Sequence, residues 1–96
     1  MNLVPGNTRL TADGLVGTSG KPIRIFIIHL LSGATASTTT FKNGTSTGGT
    51  AYVQVDGVSS QGVTLNFAGG VRFPDGCYMD TDANISHALI TYTEEM

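Results

Sequence analysis

Short β-forming runs, each closed by a turn pair, constrain this chain more than any other feature of its sequence. Ser19-Gly20, Ser32-Gly33, Asn43-Gly44, Gly48-Gly49, Asp56-Gly57, Gly69-Gly70 and Pro74-Asp75-Gly76 supply the turns. They recur roughly every 8–12 residues, the spacing of a sandwich or barrel. No window of about ten residues carries an apolar stripe at the helical period. The runs predict strands over residues 14–18, 22–31, 36–42, 50–55, 62–67, 71–73, 77–79 and 83–92. In the fifth of these, Val63, Leu65 and Phe67 alternate with Thr64 and Asn66, the period-two signature of a half-buried strand. The expected fold is therefore all-β: a single-domain antiparallel β-sandwich of about eight short strands, jelly-roll-like, with a small barrel as the alternative. Residues 1–13 are polar, contain Pro5 and Gly6, and show no period. They read as an extended N-terminal arm ahead of a sandwich domain spanning 14–96, either frayed or docked on a neighbouring subunit.

The second predicted strand is apolar on both sides. Ile23, Ile25, Ile27, His29 and Leu31 share one face, and Arg24, Phe26, Ile28 and Leu30 the other. An antiparallel sheet usually leaves one face wet, so something must cover the second face: a loop, the arm or another subunit. On this alternation the core is expected at Ile25, Ile27, Leu65, Phe67, Val71, Ile85 and Leu89. A subunit interface is expected at Phe26, Ile28 and Leu30, with Leu3 and Val4 from the arm.

Charge excludes one class of partner. The 96 residues carry a net charge of −2, and the five basic residues are scattered. A nucleic-acid binder needs a basic face to neutralise phosphates. Charged residues make up only 12% of the chain, about half the usual share. A surface of Thr, Ser and Gly costs less to desolvate than one of charges, which suits contact with other proteins as well as it suits a Thr-rich β surface. Residues 1–13 have neither the cationic start nor the apolar core of a signal peptide, and residues 23–31 are too few to span a bilayer as a helix. A soluble protein with no membrane role is expected.

No pattern points to catalysis. There is no G-x-S-x-G, and Cys77, the single cysteine, lies between Gly76 and Tyr78 in a short predicted strand. One thiol allows no intrachain disulfide. Asp56, Asp75, Asp80 and Asp82 would act as catalytic carboxylates only if the fold gathered them. For metals, His29 and His87 offer two imidazoles in strands that could pair. Asp80, Asp82 and Asn84 imitate the D-x-D-x-N opening of a calcium loop. However, Ile85 stands where the loop needs glycine, and Thr91 where it needs a bidentate acid. A structural protein without enzyme activity, cofactor, metal or small-molecule substrate is expected. The alternative is a sugar- or receptor-binding module, using the hydroxyl-rich residues 43–49 with Tyr52 or Tyr78 as a stacking platform.

Several segments, taken in order, resemble a known class. These are Lys21-Pro-Ile-Arg-Ile-Phe26, Ser32-Gly-Ala-Thr-Ala36, Phe41-Lys-Asn-Gly-Thr45, Phe67-Ala-Gly-Gly-Val-Arg-Phe-Pro-Asp-Gly-Cys-Tyr78 and Ala88-Leu-Ile-Thr-Tyr92. Together they are similar to small tailed-bacteriophage structural proteins, the capsid cement or decoration subunits and head-fibre or tail-associated modules. The resemblance lies in turns and strand patterns and spans about three-quarters of the chain. It implies a jelly roll or related sandwich, a homotrimer, a partner such as the major capsid protein, and a place in the virion after assembly in the host cytoplasm. It transfers no catalytic or binding residue.

Overall fold

The computed structural model describes residues 3–95. They form eight strands: β1 (Leu3–Leu10), β2 (Gly14–Val16), β3 (Ile23–Ser32), β4 (Ser37–Asn43), β5 (Thr50–Gly57), β6 (Gly62–Phe73), β7 (Cys77–Thr81) and β8 (Ile85–Glu95). Two antiparallel four-stranded sheets result, in the orders β1-β8-β3-β6 and β2-β7-β4-β5. The first is called sheet A and the second sheet B. Strands β1 and β8, β2 and β7, β3 and β6, and β4 and β5 are all neighbours. That pattern is one long hairpin with β4 and β5 at its tip, rolled so that successive rungs fall alternately in the two sheets, which makes the fold a jelly roll. Among the described residues no helix is long and apolar enough to cross a membrane.

The predicted arm is part of the sandwich. Residues 3–10 pair with β8 in unbroken register from Leu3↔Glu95 to Leu10↔Ala88; residues 1 and 2 lie outside the described residues. The segment lacks apolar alternation because an edge strand buries little, and here only Gly6, Thr8 and Leu10 turn partly inward. Pro5 is tolerated because an edge strand has one unpaired side. Gly6 is required by its neighbour: a Cβ there would stand 2.5 Å from Cζ of Tyr92. Strands 62–67 and 71–73, read separately from the sequence, are one strand. Gly69 and Gly70 both take positive φ (78° and 79°), so the chain bulges and rejoins the ladder instead of turning away. The strand count agrees with expectation because one strand was missed and two are fused.

A second bulge reverses the faces of β3. Its pairing with β6 and with β8 shifts between Ile25 and Ile27. A bulge adds one residue, and with a side-chain period of two it moves every later side chain to the opposite face. Ile23 and Ile25 point inward before it, and Ile28, Leu30 and Ser32 after it. Ile28 and Leu30, expected at an interface, are fully buried core residues, and Ile27, expected in the core, lies outside. The same happens in β8, where the register shift at Leu31/Ser32 separates Ile85 from the residues that follow. Ile85 is buried as expected; Leu89, expected beside it, is 43% exposed. Ile25 is fully buried, and Leu65, Phe67 and Val71 pack against the core from the edge strand β6. Phe41, Phe73 and Met79 supply much of the remaining core volume.

The interior is polar in three places, all satisfied; at the first, fully buried Thr39 shares a 2.8 Å hydroxyl bond with Thr81. Ser32 and Ser37 share a 2.7 Å hydroxyl bond beside Gly57. Glu94, nearly buried, accepts hydrogen bonds from the Thr18 backbone N–H and, at 3.0 Å, from its hydroxyl, tying the loop after β2 to the end of β8. No buried side-chain nitrogen or oxygen among the described residues lacks a partner.

Candidate functional site: the outer face of sheet A

The bulges put an apolar band on the outside of the two central strands of sheet A. Arg9, Leu89, His29 and Thr64 are neighbours across the four strands, and so are Asn7, Thr91, Ile27 and Asn66. His87, Leu31 and Gly62 continue the pattern. Ile27 (36% exposed) and Leu89 (43%) stand at its centre, with Leu31 half-buried beside them. Hydroxyl and amide groups frame the band; Thr91 donates to the Asn7 side chain at 2.8 Å. Ile27 and Leu89 stay exposed on this face, unlike the inner face, where sheet B supplies the cover. Phe26, expected at an interface, lies in the bulge with its ring edge over Gly70, where a Cβ would come within 3.1 Å. Leu3 and Val4, the other expected interface residues, are exposed at the start of β1.

The histidines meet on this face. Their ring centroids are 6.5 Å apart at a 41° tilt. His29 Nδ1 is hydrogen-bonded to the Thr64 hydroxyl at 2.7 Å, and its ring rests over Gly62. The sequence placed them in strands that could pair, and β3 does pair with β8. Two imidazoles make half of a tetrahedral zinc set, and no group of three or more metal-binding side chains occurs among the described residues.

The calcium-like loop is spent on internal bonds. Asp80 pairs with Lys42 at 2.8 Å. Asp82 accepts from the backbone N–H of Thr38 at 2.9 Å and of Asn84 at 3.0 Å, and the Asn84 amide donates to the Ala36 carbonyl. The motif works as an Asx-type turn stitching β7 and β8 to β4. Beside it lies an open depression of about 410 Å³ lined by Thr11, Ala12, Asp13, Thr81, Asp82 and Ala83. Asp13 accepts the Thr81 N–H at 2.7 Å, so its carboxylate is also engaged. The other carboxylates are apart. Asp56 bonds Gln54 on the outside of β5, and Asp75 bonds Asn43 at the far end of β4. Of the proposed sugar platforms, Tyr52 is 44% exposed and stacks on Phe73 with centroids 5.2 Å apart, whereas Tyr78 is half-buried.

Three groups have clear electrostatic settings. Arg72 grips Glu95 through two bonds, 2.6 and 3.2 Å. This bond raises the guanidinium pKa and holds the Glu95 carboxyl below its usual range. Cys77 is buried in the core, and desolvation pushes its thiol up from 9.0 to about 12. Because the folded pKa lies above the unfolded one, the contribution is whole below pH 9 and is lost as pH rises towards 12. Stability should fall with pH there, by up to about 1.4 kcal/mol per unit. Chemical denaturation from pH 8 upward should show a shallower decline for Cys77→Ala than for the parent. Equal slopes would mean that the thiol titrates normally.

Comparison with protein-family models, with curated proteins and with solved structures finds no match.

The sequence carried one unused signal for this face. Arg24 and His29 have opposite parity, so an unbroken β3 would force one of them into the core. A bulge between them is the economical way to keep both outside.

Proposed function

We propose that this protein is a non-enzymatic virion structural subunit that self-associates and binds a phage shell as a capsid cement or decoration protein. The observation that carries the self-association is the apolar band Ile27–Leu31–Leu89 on the uncovered face of sheet A. Burying such a band removes apolar area from water at roughly 25 cal/mol per Å². A rigid sandwich loses little conformational freedom on docking, which favours association. The virion setting, the homotrimer and the major capsid protein as partner are supported by the resemblance of the sequence to small phage structural proteins.

The test is light scattering on a sizing column at micromolar concentration. The parent should elute with a mass near three copies, and Leu89→Asp should elute as one copy with an unchanged melting temperature, since the residue faces outward. A parent that stays monomeric at high concentration would overturn the self-association, and one that ignores empty phage shells in a sedimentation assay would overturn the cement role.

A second reading has one observation in its favour. Tyr52 offers an exposed, stacked ring next to the hydroxyl-rich hairpin between β4 and β5, the combination a carbohydrate platform uses. Binding to host-cell glycans lost on Tyr52→Ala would favour a head-fibre or tail receptor module.

A further inference from the structure

The scattered basic residues are gathered by the fold. Arg9, Arg24 and Arg72, three of the five, stand on sheet A, where β1, β3 and β6 carry them in the outward registers opposite Leu89, Thr93 and one another. The acid among them is Glu95, already held by Arg72. Sheet B has the opposite balance. Asp56 on β5, Asp80 on β7 and Asp82 just beyond flank the central strand β4, against the single cation Lys42. A chain of net charge −2 thus has a basic face with an apolar centre and an acidic face on its other side.

We infer that copies of this protein associate head to tail, with the outer face of sheet A of one copy seated on the outer face of sheet B of the next. This inference rests on the self-association proposed above and names its geometry. A two-fold pairing of sheet A with itself would appose two sets of arginines, and like-charge apposition is the standard way an interface rejects a partner. The alternate pairing sets arginines against aspartates and gives the Ile27–Leu89 band a cover. A heterologous contact of this kind joins two different patches and extends from copy to copy instead of stopping at a dimer. Size is adequate: extents of 42 × 26 × 18 Å give each broad face roughly 1,000 Å², above the ~800 Å² per partner of a standard interface.

Charge exchange tests it. One variant reverses face A (Arg9→Glu with Arg24→Glu), a second reverses face B (Gln54→Lys with Asp56→Lys), and a third carries all four changes. All four side chains point outward, and thermal melts confirm folding before masses are compared. Each single-face variant should associate at least ~10-fold more weakly than the parent. The four-change chain should regain assembly, because its faces are again complementary. If the face B variant assembles like the parent while the face A variant is monomeric, self-association stands and the head-to-tail geometry falls. If both single-face variants assemble like the parent, the contact lies on other surfaces and the inference falls as well. A parent that is itself monomeric removes the proposed function together with this inference.

Discussion

Ile28→Ala should cost about 3–4 kcal/mol of folding stability, and Ile27→Ala, one residue earlier, less than ~1 kcal/mol. The two side chains are chemically identical and adjacent, so the contrast isolates the bulge of β3. Ile28 is wholly buried between the sheets; Ile27 stands over a third exposed on the outside of sheet A. Removing the buried side chain loses its transfer energy and leaves a cavity that Leu65, its cross-strand neighbour, fills only in part. Urea titrations of the two variants would check this. Equal costs, or the reverse order, would mean that β3 alternates without interruption and that the apolar band belongs to the core.

Gly57→Ala should cost about 2–4 kcal/mol, with no change in backbone conformation required. Gly57 ends β5 against the paired hydroxyls of Ser32 and Ser37. A Cβ at this position would overlap the Ser32 hydroxyl and stand 2.6 Å from that of Ser37. The extra methyl must push the two serines apart, so overpacking and a broken buried hydrogen bond add together. Combining it with Ser32→Ala, which removes the nearest atom, should recover part of the loss. Denaturation of the single and double variants would measure that coupling. A double variant as unstable as the sum of its parts would mean the crowding lies elsewhere.

The fold class was legible because turn residues and period-two runs are local properties. Val63, Leu65 and Phe67 announced their own inward face. What was not legible depends on pairing. Residues 3–10 carry no apolar alternation, and their strand exists because β8 offers an unpaired ladder to them. Gly69-Gly70 has the composition of a turn, and only the partner strand β3 decides that the chain continues beyond it. The assignment of β3 failed at one residue, Phe26, and everything after it was inverted, which misplaced Ile27, Ile28 and Leu30 together. The site suffered most because an outer face is defined by what the inner face takes first. His29 and His87 were read only as imidazoles in strands that could pair, and it is the pairing of β3 with β8 that brings them together. Asp80, Asp82 and Asn84 were grouped by spacing alone, and spacing holds no record of Lys42, Thr38 or Ala36, which occupy them.

The rolled-hairpin pairing also sets when this chain is able to fold. Strand β8 lies between β1 and β3, so the eighth strand holds the first and third in place. Until Ile85–Glu95 has left the ribosome, sheet A lacks an interior strand and the apolar inner side of β3 lacks one neighbour. Only β4 and β5, at the tip of the roll, can pair early and locally. The remaining rungs close over ever longer stretches of chain, a topology that slows folding. A nascent chain stalled before β8 would therefore expose much of its apolar surface at once.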